Sequence, residues 1–350
     1  MPSLSDKYLE SLSFTESNTS TLQKIGEYKG KQALFFQQTP EILESLKQVA
    51  IIESSESSNR LEGITAPHER IENIVLKKTD LKNRSEQEIA GYRDALNLIH
   101  ESAMHMDLSN NIILQLHALI HRYMPATAGQ WKMTENDIVE KNPDGTIIRV
   151  RFKPVSAVAT PGFMDELIHN YKQAIHQDGR EPLVILPLVI LDFLCVHPFS
   201  DGNGRVARLL TLMLLYQFGY EVGRFISLER IFEESKETYY ESLEKSSQGW
   251  HESKHDPLSW MTYFWGALLR AYREFEQRVG NVKIGKGSKT DQIRQTVGRK
   301  IGPFSISDIE RECFNTSRDM VRNVLRQLKS EGKIVLQGKG RNAKWINKGE

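Results

Sequence analysis

Cysteine is scarce in this chain. Its 350 residues hold only Cys195 and Cys313, which lie in different regions, Cys195 within an apolar run. A disulfide framework is therefore disfavoured, and a reducing compartment, the cytoplasm, is expected. Long apolar runs are lacking too. The longest, Pro182 to Val196, spans 15 residues and contains Asp192, so it reads as a buried core helix and not as a membrane span. The first residues, MPSLSDKYLESLSF, show neither a basic start nor an apolar stretch of the kind a secretory leader needs. Net charge is nearly absent at +1, so the molecule as a whole gives no electrostatic hint of a nucleic-acid or membrane partner. No internal repeat or low-complexity tract occurs.

What is present is a chain long enough for one large core and a small appended domain. The near-zero charge hides an asymmetry: from residue 283 onward there are 16 Lys/Arg against 7 Asp/Glu, which leaves the rest acidic. Thr39-Pro40-Glu41 is a helix start with an N-cap hydroxyl, a proline and an acid, and Gly63 suits its end. Ser85 and Glu88 have capping-box spacing, followed by Ile89, Tyr92, Ala95, Leu96 and Ile99 at helical intervals. Asn111 to Met124 repeats that period. Ile138 to Phe152 changes it, with two short β-like runs around Asn142-Pro143-Asp144-Gly145, and reads as a β-hairpin. Helices resume over Gly162 to Gln177, Pro182 to Val196, after Gly204, and over Pro257 to Val279. The segment VGNVKIGKGSK reads as a linker. The first domain is expected to be mainly α.

The segment VHPFSDGNGRVARLLTLMLLYQF, residues 196 to 218, carries the chemistry. It leaves a buried helix, passes through a polar turn with two glycines, and enters another apolar helix. Backbone amides at a helix N-terminus are a site for phosphate. Gly202 and Gly204 let the backbone approach an anion without a Cβ in the way. Arg205 and Arg208 fall on one helical face and can both reach phosphate oxygens. Asp201 is suited to Mg²⁺, which takes a carboxylate together with phosphate oxygens. His197 stands at the mouth of the turn as a candidate general base. Each feature alone is weak, since His-Pro is usually a turn and paired arginines usually a solvated face. Their order within a dozen residues makes the segment specific.

At these residues the chain resembles the Fic family, whose signature His-Pro-Phe-x-[Asp/Glu]-Gly-Asn-Gly-[Arg/Lys]-x-x-Arg is filled by His197, Pro198, Phe199, Asp201, Gly202, Asn203, Gly204, Arg205 and Arg208. Doc-type kinases carry alanine and lysine in this loop, which disfavours phosphorylation. The resemblance implies a protein adenylyltransferase that moves AMP from ATP to a Ser, Thr or Tyr hydroxyl of a target protein, or of itself, with release of pyrophosphate. It implies His197 as the base, Asp201 as the Mg²⁺ ligand, and an anion hole from Asn203 and the amides of Gly202 and Gly204. Arg205 and Arg208 would hold the β- and γ-phosphates. The hairpin matches the family's flap, which would clamp a target segment. Glu62, in Ser58-Asn59-Arg60-Leu61-Glu62-Gly63, fits the inhibitory motif of class II members. Tyr239-Tyr240 resembles a segment near the adenine, with core packing as the alternative. His117 and His121 have the spacing of a zinc helix, but Ala118 stands where a metalloprotease needs glutamate, and both are expected on a packed helix.

Residues 289 to 346 read as helix, turn, helix, a third amphipathic helix from Ser317 to Ser330, and two short strands around a basic turn at Gly338 to Asn342. This resembles a winged helix. Arg318, Arg322, Arg326 and Lys329 could meet DNA phosphates, while protein docking stays open. The expected domains are an N-terminal helical region over 1–100 with the inhibitory motif, a catalytic core over 101–265, a helix end and linker over 266–286, and a winged helix over 287–350. A homodimer, an AMP-removing or other-nucleotide enzyme, and a DNA-binding regulator that senses ATP stay open.

Overall fold

A computed structural model describes residues 2–38, 40–124, 128–142, 146–177, 179–280, 289–298, 300, 302–313, 316–338 and 343–347. It is mostly helical, with two small antiparallel sheets. The chain divides into two compact units, residues 1–38 with 47–275, and residues 39–46 with 276–350.

In chain order the helices are α1 (Asp6–Ser11), α2 (Glu16–Gln38), α3 (Pro40–Leu61), α4 (His68–Val75), α5 (Arg84–Ser102), α6 (Asn110–Ile120), α7 (Thr160–His176), α8 (Pro182–Val196), α9 (Asn203–Gln217), α10 (Leu228–Glu234), α11 (Lys236–Ser247) and α12 (Leu258–Gly280). The hairpin of β1 (Ile138–Lys141) and β2 (Ile147–Phe152) stands between α6 and α7, with Val139 opposite Val150 and Glu140 opposite Arg149. Its expected turn residues Pro143, Asp144 and Gly145 lie outside the described residues, as do Thr39 and linker residues 281–288.

The two helices that carry the signature form the centre of the larger unit. In α8 the proline at the first position needs no amide partner, and the Glu181 side chain accepts from Leu183 N–H. Apolar residues all round α8 are buried on nearly every face, which is how a helix in the middle of a core must read. Helix α9 is likewise buried from Asn203 to Tyr216. Helix α5 packs against α9, but its cap differs from the expected Ser85–Glu88 box. Asn83 caps it, accepting from Glu86 N–H at 3.0 Å, and this frees Glu88 to point into the core. Helix α6 ends at Ile120, short of the expected Met124, with His121 as its C-cap. Helix α3 stops as expected at Gly63, whose φ of 77° lets Ile64 N–H return to Asn59 carbonyl at 2.9 Å.

In the second unit α13 (Lys289–Gly298), α14 (Ile306–Glu312) and α15 (Arg318–Ser330) are followed by β3 (Ile334–Gln337) and β4 (Lys344–Asn347). Ser305 and Asp308 form a reciprocal capping box on α14. Leu325, Val321, Ile309 and Ile293 are fully buried in its core, and Trp345 closes it from β4. The basic turn residues Lys339, Gly340, Arg341 and Asn342 lie outside the described residues.

Candidate active site

The turn between α8 and α9 brings the signature residues together. His197 caps α8 in the left-handed region at φ 50°, ψ 60°, a conformation that costs a non-glycine residue roughly 1–2 kcal/mol. Its Nδ1 lies 3.3 Å from Leu194 carbonyl. A carbonyl only accepts, so Nδ1 carries the proton and Nε2 keeps its lone pair. Burial pushes the imidazole pKa down to about 4, and the Lys132 charge adds to this while the Leu194 contact, Glu62 and Asp201 oppose it. His197 is therefore neutral near pH 7, as a base must be.

Gly202, at φ 83°, lets the loop turn into α9; a Cβ there would meet Ile120 Cδ1 at 2.8 Å. Asp201 is 58% exposed along its side chain. Its Oδ1 accepts from Gly202 N–H at 2.7 Å, and its Oδ2 lies 3.3 Å from Arg205 Nη2. Asn203 turns inward, accepting from Phe199 N–H at 2.9 Å and donating to Phe199 carbonyl at 2.7 Å. Its side chain thus holds the loop. Arg205 is fully buried and donates to Glu88 Oε2 at 2.6 Å. Of the two arginines, it is Arg208 that borders the open cavity.

Arg208 is nonetheless occupied. Its Nη2 donates to Glu62 Oε1 at 2.8 Å and Ser58 carbonyl at 2.9 Å, and its Nε donates to Ser58 Oγ at 2.8 Å. Burial opposes the guanidinium charge most strongly, but Glu62 together with Tyr239, Tyr92 and Tyr240 outweighs it, and the pKa is raised. A Cβ on Gly204 would run into the Glu62 carboxylate. Glu62 thus lies over the first turn of α9, on the side where an anion would approach.

A cavity of about 230 Å³ opens here, lined by Glu62, His197, Gly204 and Arg208, by Tyr239 and Tyr240, and by Ile138 and Phe152 of the hairpin. Tyr240 donates to Leu61 carbonyl at 3.0 Å. Tyr239 is buried, its ring stacked on Phe232 at 5.3 Å. Both tyrosines therefore border the cavity, and Tyr239 also packs in the core.

Several supporting residues were not found from the sequence. His117 stacks on Phe199 at 3.8 Å, accepts from Gly129 N–H at Nδ1 and donates to Asp201 carbonyl at 3.2 Å. Its i, i+4 pairing with His121 was visible, but the loop it supports is 84 residues away. Ser58 was visible as the first residue of the inhibitory motif and Glu88 only as a capping residue, while Lys132 and Asn136 carry no local signal at all. No group of three or more His, Cys, Asp or Glu suited to a metal ion occurs among the described residues. No described helix is long and apolar enough to cross a membrane.

Fold and site together define a helical domain with a histidine-headed, glycine-rich loop at a helix N-terminus. The Fic/DOC family model matches residues 107–215, so a Fic domain occupies that part of the chain. A protein adenylyltransferase Fic of Nematostella vectensis is 26% identical over 204 residues, 55% of this chain and 42% of that protein. The chain covers less than half the length of the curated relatives it matches. In fold, it is similar to a Fic family protein from Desulfovibrio desulfuricans, with a TM-score of 0.63 at 18% identity over 97% of this chain and 98% of that one. It is also similar to a Fic domain containing signaling protein from Bacteroides thetaiotaomicron, with a TM-score of 0.61 at 22% identity over 71% and 94%.

Proposed function

We propose that the chain is a protein adenylyltransferase, moving AMP from ATP to a Ser, Thr or Tyr hydroxyl of a target protein or of itself, and held back by Glu62. The observation that carries this reading is the neutral His197, its Nε2 lone pair free beside a cavity that also opens onto the first turn of α9. In this reading His197 Nε2 takes the hydroxyl proton, the oxygen attacks the α-phosphorus, and the bond to pyrophosphate breaks. The amide of Gly204, and that of Gly202 once Asp201 Oδ1 releases it, stabilise charge on the phosphoryl oxygens, work that needs alignment and no covalent help. Arg208 holds the terminal phosphates once Glu62 withdraws. Arg205, sealed between Glu88 and Asp201, orients the carboxylate and contributes its charge from behind. Asp201, exposed at the loop's edge, suits Mg²⁺, which when bound neutralises phosphate charge. Tyr239 and Tyr240, which line the same cavity, lie near the adenine, and the hairpin holds the target segment.

Incubation with α-labelled and γ-labelled ATP tests the reading. Label transferred to protein from the α-position alone supports it; transfer from the γ-position makes the chain a kinase. A second reading, AMP removal, is favoured by the position of Glu62, whose partly exposed carboxylate shares the cavity with His197 and could orient a water. Release of AMP from a modified target, in place of transfer, would establish it.

A further inference from the structure

Four consecutive carbonyls, those of Val196, His197, Pro198 and Phe199, leave the end of α8 without a following helical turn to receive them. Two residues of the loop before β1 reach all four, the Phe199 carbonyl also accepting from Asn203 at 2.7 Å. Lys132 Nζ donates to Val196 carbonyl at 3.2 Å, and Lys132 N–H to Pro198 carbonyl at 2.8 Å. Asn136 Nδ2 donates to Phe199 carbonyl at 2.7 Å and to His197 carbonyl at 3.3 Å. The two are joined, Lys132 Nζ donating to Asn136 Oδ1 at 2.7 Å. Lys132 is only 2% exposed, which is unusual for a lysine; burial lowers its pKa, and the charges of Glu135 and Asp137 oppose that from beyond direct contact.

We propose that Lys132 and Asn136 are positioning residues that hold His197 in its left-handed conformation and thereby present Nε2 to the cavity. Burying an ammonium is costly, and here Glu135 and Asp137 offset that cost only in part, since the Lys132 pKa is still lowered; its hydrogen bonds supply the rest. Here they clamp the peptide on either side of a strained residue, which persists only where its surroundings over-determine it. Released from the clamp, His197 relaxes toward an ordinary helix end, Nδ1 leaves Leu194 carbonyl, and the ring loses both its aim and its fixed tautomer. The same loop runs directly into β1, so the clamp also ties the base to the hairpin strand that lines the cavity.

The proposal rests on the reading of His197 as the base, and its test has one readout that does not. In the intact chain with Glu62→Gly, Asn136→Asp keeps the shape of the side chain but cannot donate, and Lys132→Met keeps most of the stem without the ammonium. With α-labelled ATP as probe, kcat for self-modification should fall about 100-fold, the loss a misplacement of ~1 Å produces, while ATP affinity stays within about twofold. Lys132→Arg should restore most of the rate. Side-chain ¹⁵N spectra, with the His197 signal assigned from His197→Gln, should show the Nδ1–H tautomer in the parent chain and a mixture in Asn136→Asp. If Lys132→Met does not fold, Asn136→Asp carries both readouts. An unchanged tautomer with unchanged kcat overturns the proposal. Full transfer by His197→Gln would instead remove the reading of His197 as base, and the tautomer alone would then decide the clamp.

Discussion

Glu62 and Arg208 are 146 residues apart in sequence and 2.8 Å apart in space, with the carboxylate at the end of α3 closing on a guanidinium that borders the anion loop. Ser58, one turn earlier on α3, receives two further bonds from the same guanidinium. Helix α3 is itself fastened nearby, Ser54 donating to buried Glu229, which also accepts from Tyr92. Arg208 therefore has two sets of partners to choose between, α3 or an incoming phosphate.

If that choice sets the activity, Glu62→Gly should raise transfer from ATP, including self-modification. The carboxylate and a terminal phosphate compete for one guanidinium, and coupling between such states is typically about 1–3 kcal/mol, or roughly 5- to 150-fold. Glu62→Gln keeps the shape and loses the charge, so it should activate partially. The measurement is the initial rate with α-labelled ATP at saturation. A lower rate with the fold intact sinks the inhibitory reading, and loss of AMP removal in the same variant would point to a hydrolytic role.

His197→Ala, made in the Glu62→Gly chain, should lower kcat by about 10²- to 10⁴-fold, the usual worth of a positioned base. ATP affinity by calorimetry should be retained, because amides and Arg208 hold the nucleotide in the ground state while imidazole acts in the transition state. Equal loss of binding and turnover would show that His197 is not the base.

Residues that are neighbours in sequence were the legible part of this site. The loop from His197 to Arg208 packs base, acid, glycines and arginines into one stretch, so its chemistry could be read before any fold was known. Glu62 was readable only through its motif. Ser58 came with that motif, but its bond to Arg208 did not, and Glu88 was read as a cap and not as the partner of Arg205. Lys132 and Asn136 were not readable, because each acts on the loop from about 60 residues away and is, by itself, an ordinary polar residue. Fold showed the same division. Helices α7, α8 and α12 followed from apolar periodicity, whereas α2, rich in Ser, Thr, Gln and Lys, gave no such signal; Ile25 is its one fully buried apolar side chain among the described residues. The cap of α5 went astray because Asn83 and Ser85 are both good caps, and local pattern cannot choose between them.

On the second unit, Arg318 already pairs with Glu310 at 2.5 Å and Arg322 with Asp319 at 3.0 Å, and both sit on the exposed side of α15 with Arg326 and Lys329. If this face binds DNA, the full chain should bind a short duplex at 50 mM salt. Three or four phosphate contacts would weaken that binding by roughly 40- to 150-fold at 200 mM. Replacing Arg322 and Arg326 with Glu should abolish it. No binding at 50 mM salt, or binding indifferent to the charge reversal, would leave protein docking as the use of this face.

Acid should destabilise the larger unit well above the pH at which its surface carboxylates titrate. Burial holds His100 down to about 3, and His117, His197 and His255 down to about 4, each below the ordinary value near 6.5. The unfolded chain therefore takes up protons between about pH 6.5 and 4 that the folded chain refuses, and stability falls as pH drops through that window. Asp192 works in the opposite sense. Burial raises its pKa to about 6, although Ser3 and Trp250 both donate to its Oδ1. The folded state thus binds that proton first and gains stability as pH falls from about 6 toward 4. Four histidines outweigh one carboxyl, so Tm by calorimetry should decline steadily from pH 7 to pH 4. Asp192→Asn removes the opposing contribution and should make the decline steeper, with Asn able to accept the same two bonds. A Tm that is flat or rising over this range, or a slope unchanged by Asp192→Asn, would show that these groups are not held in the protonation states their burial dictates.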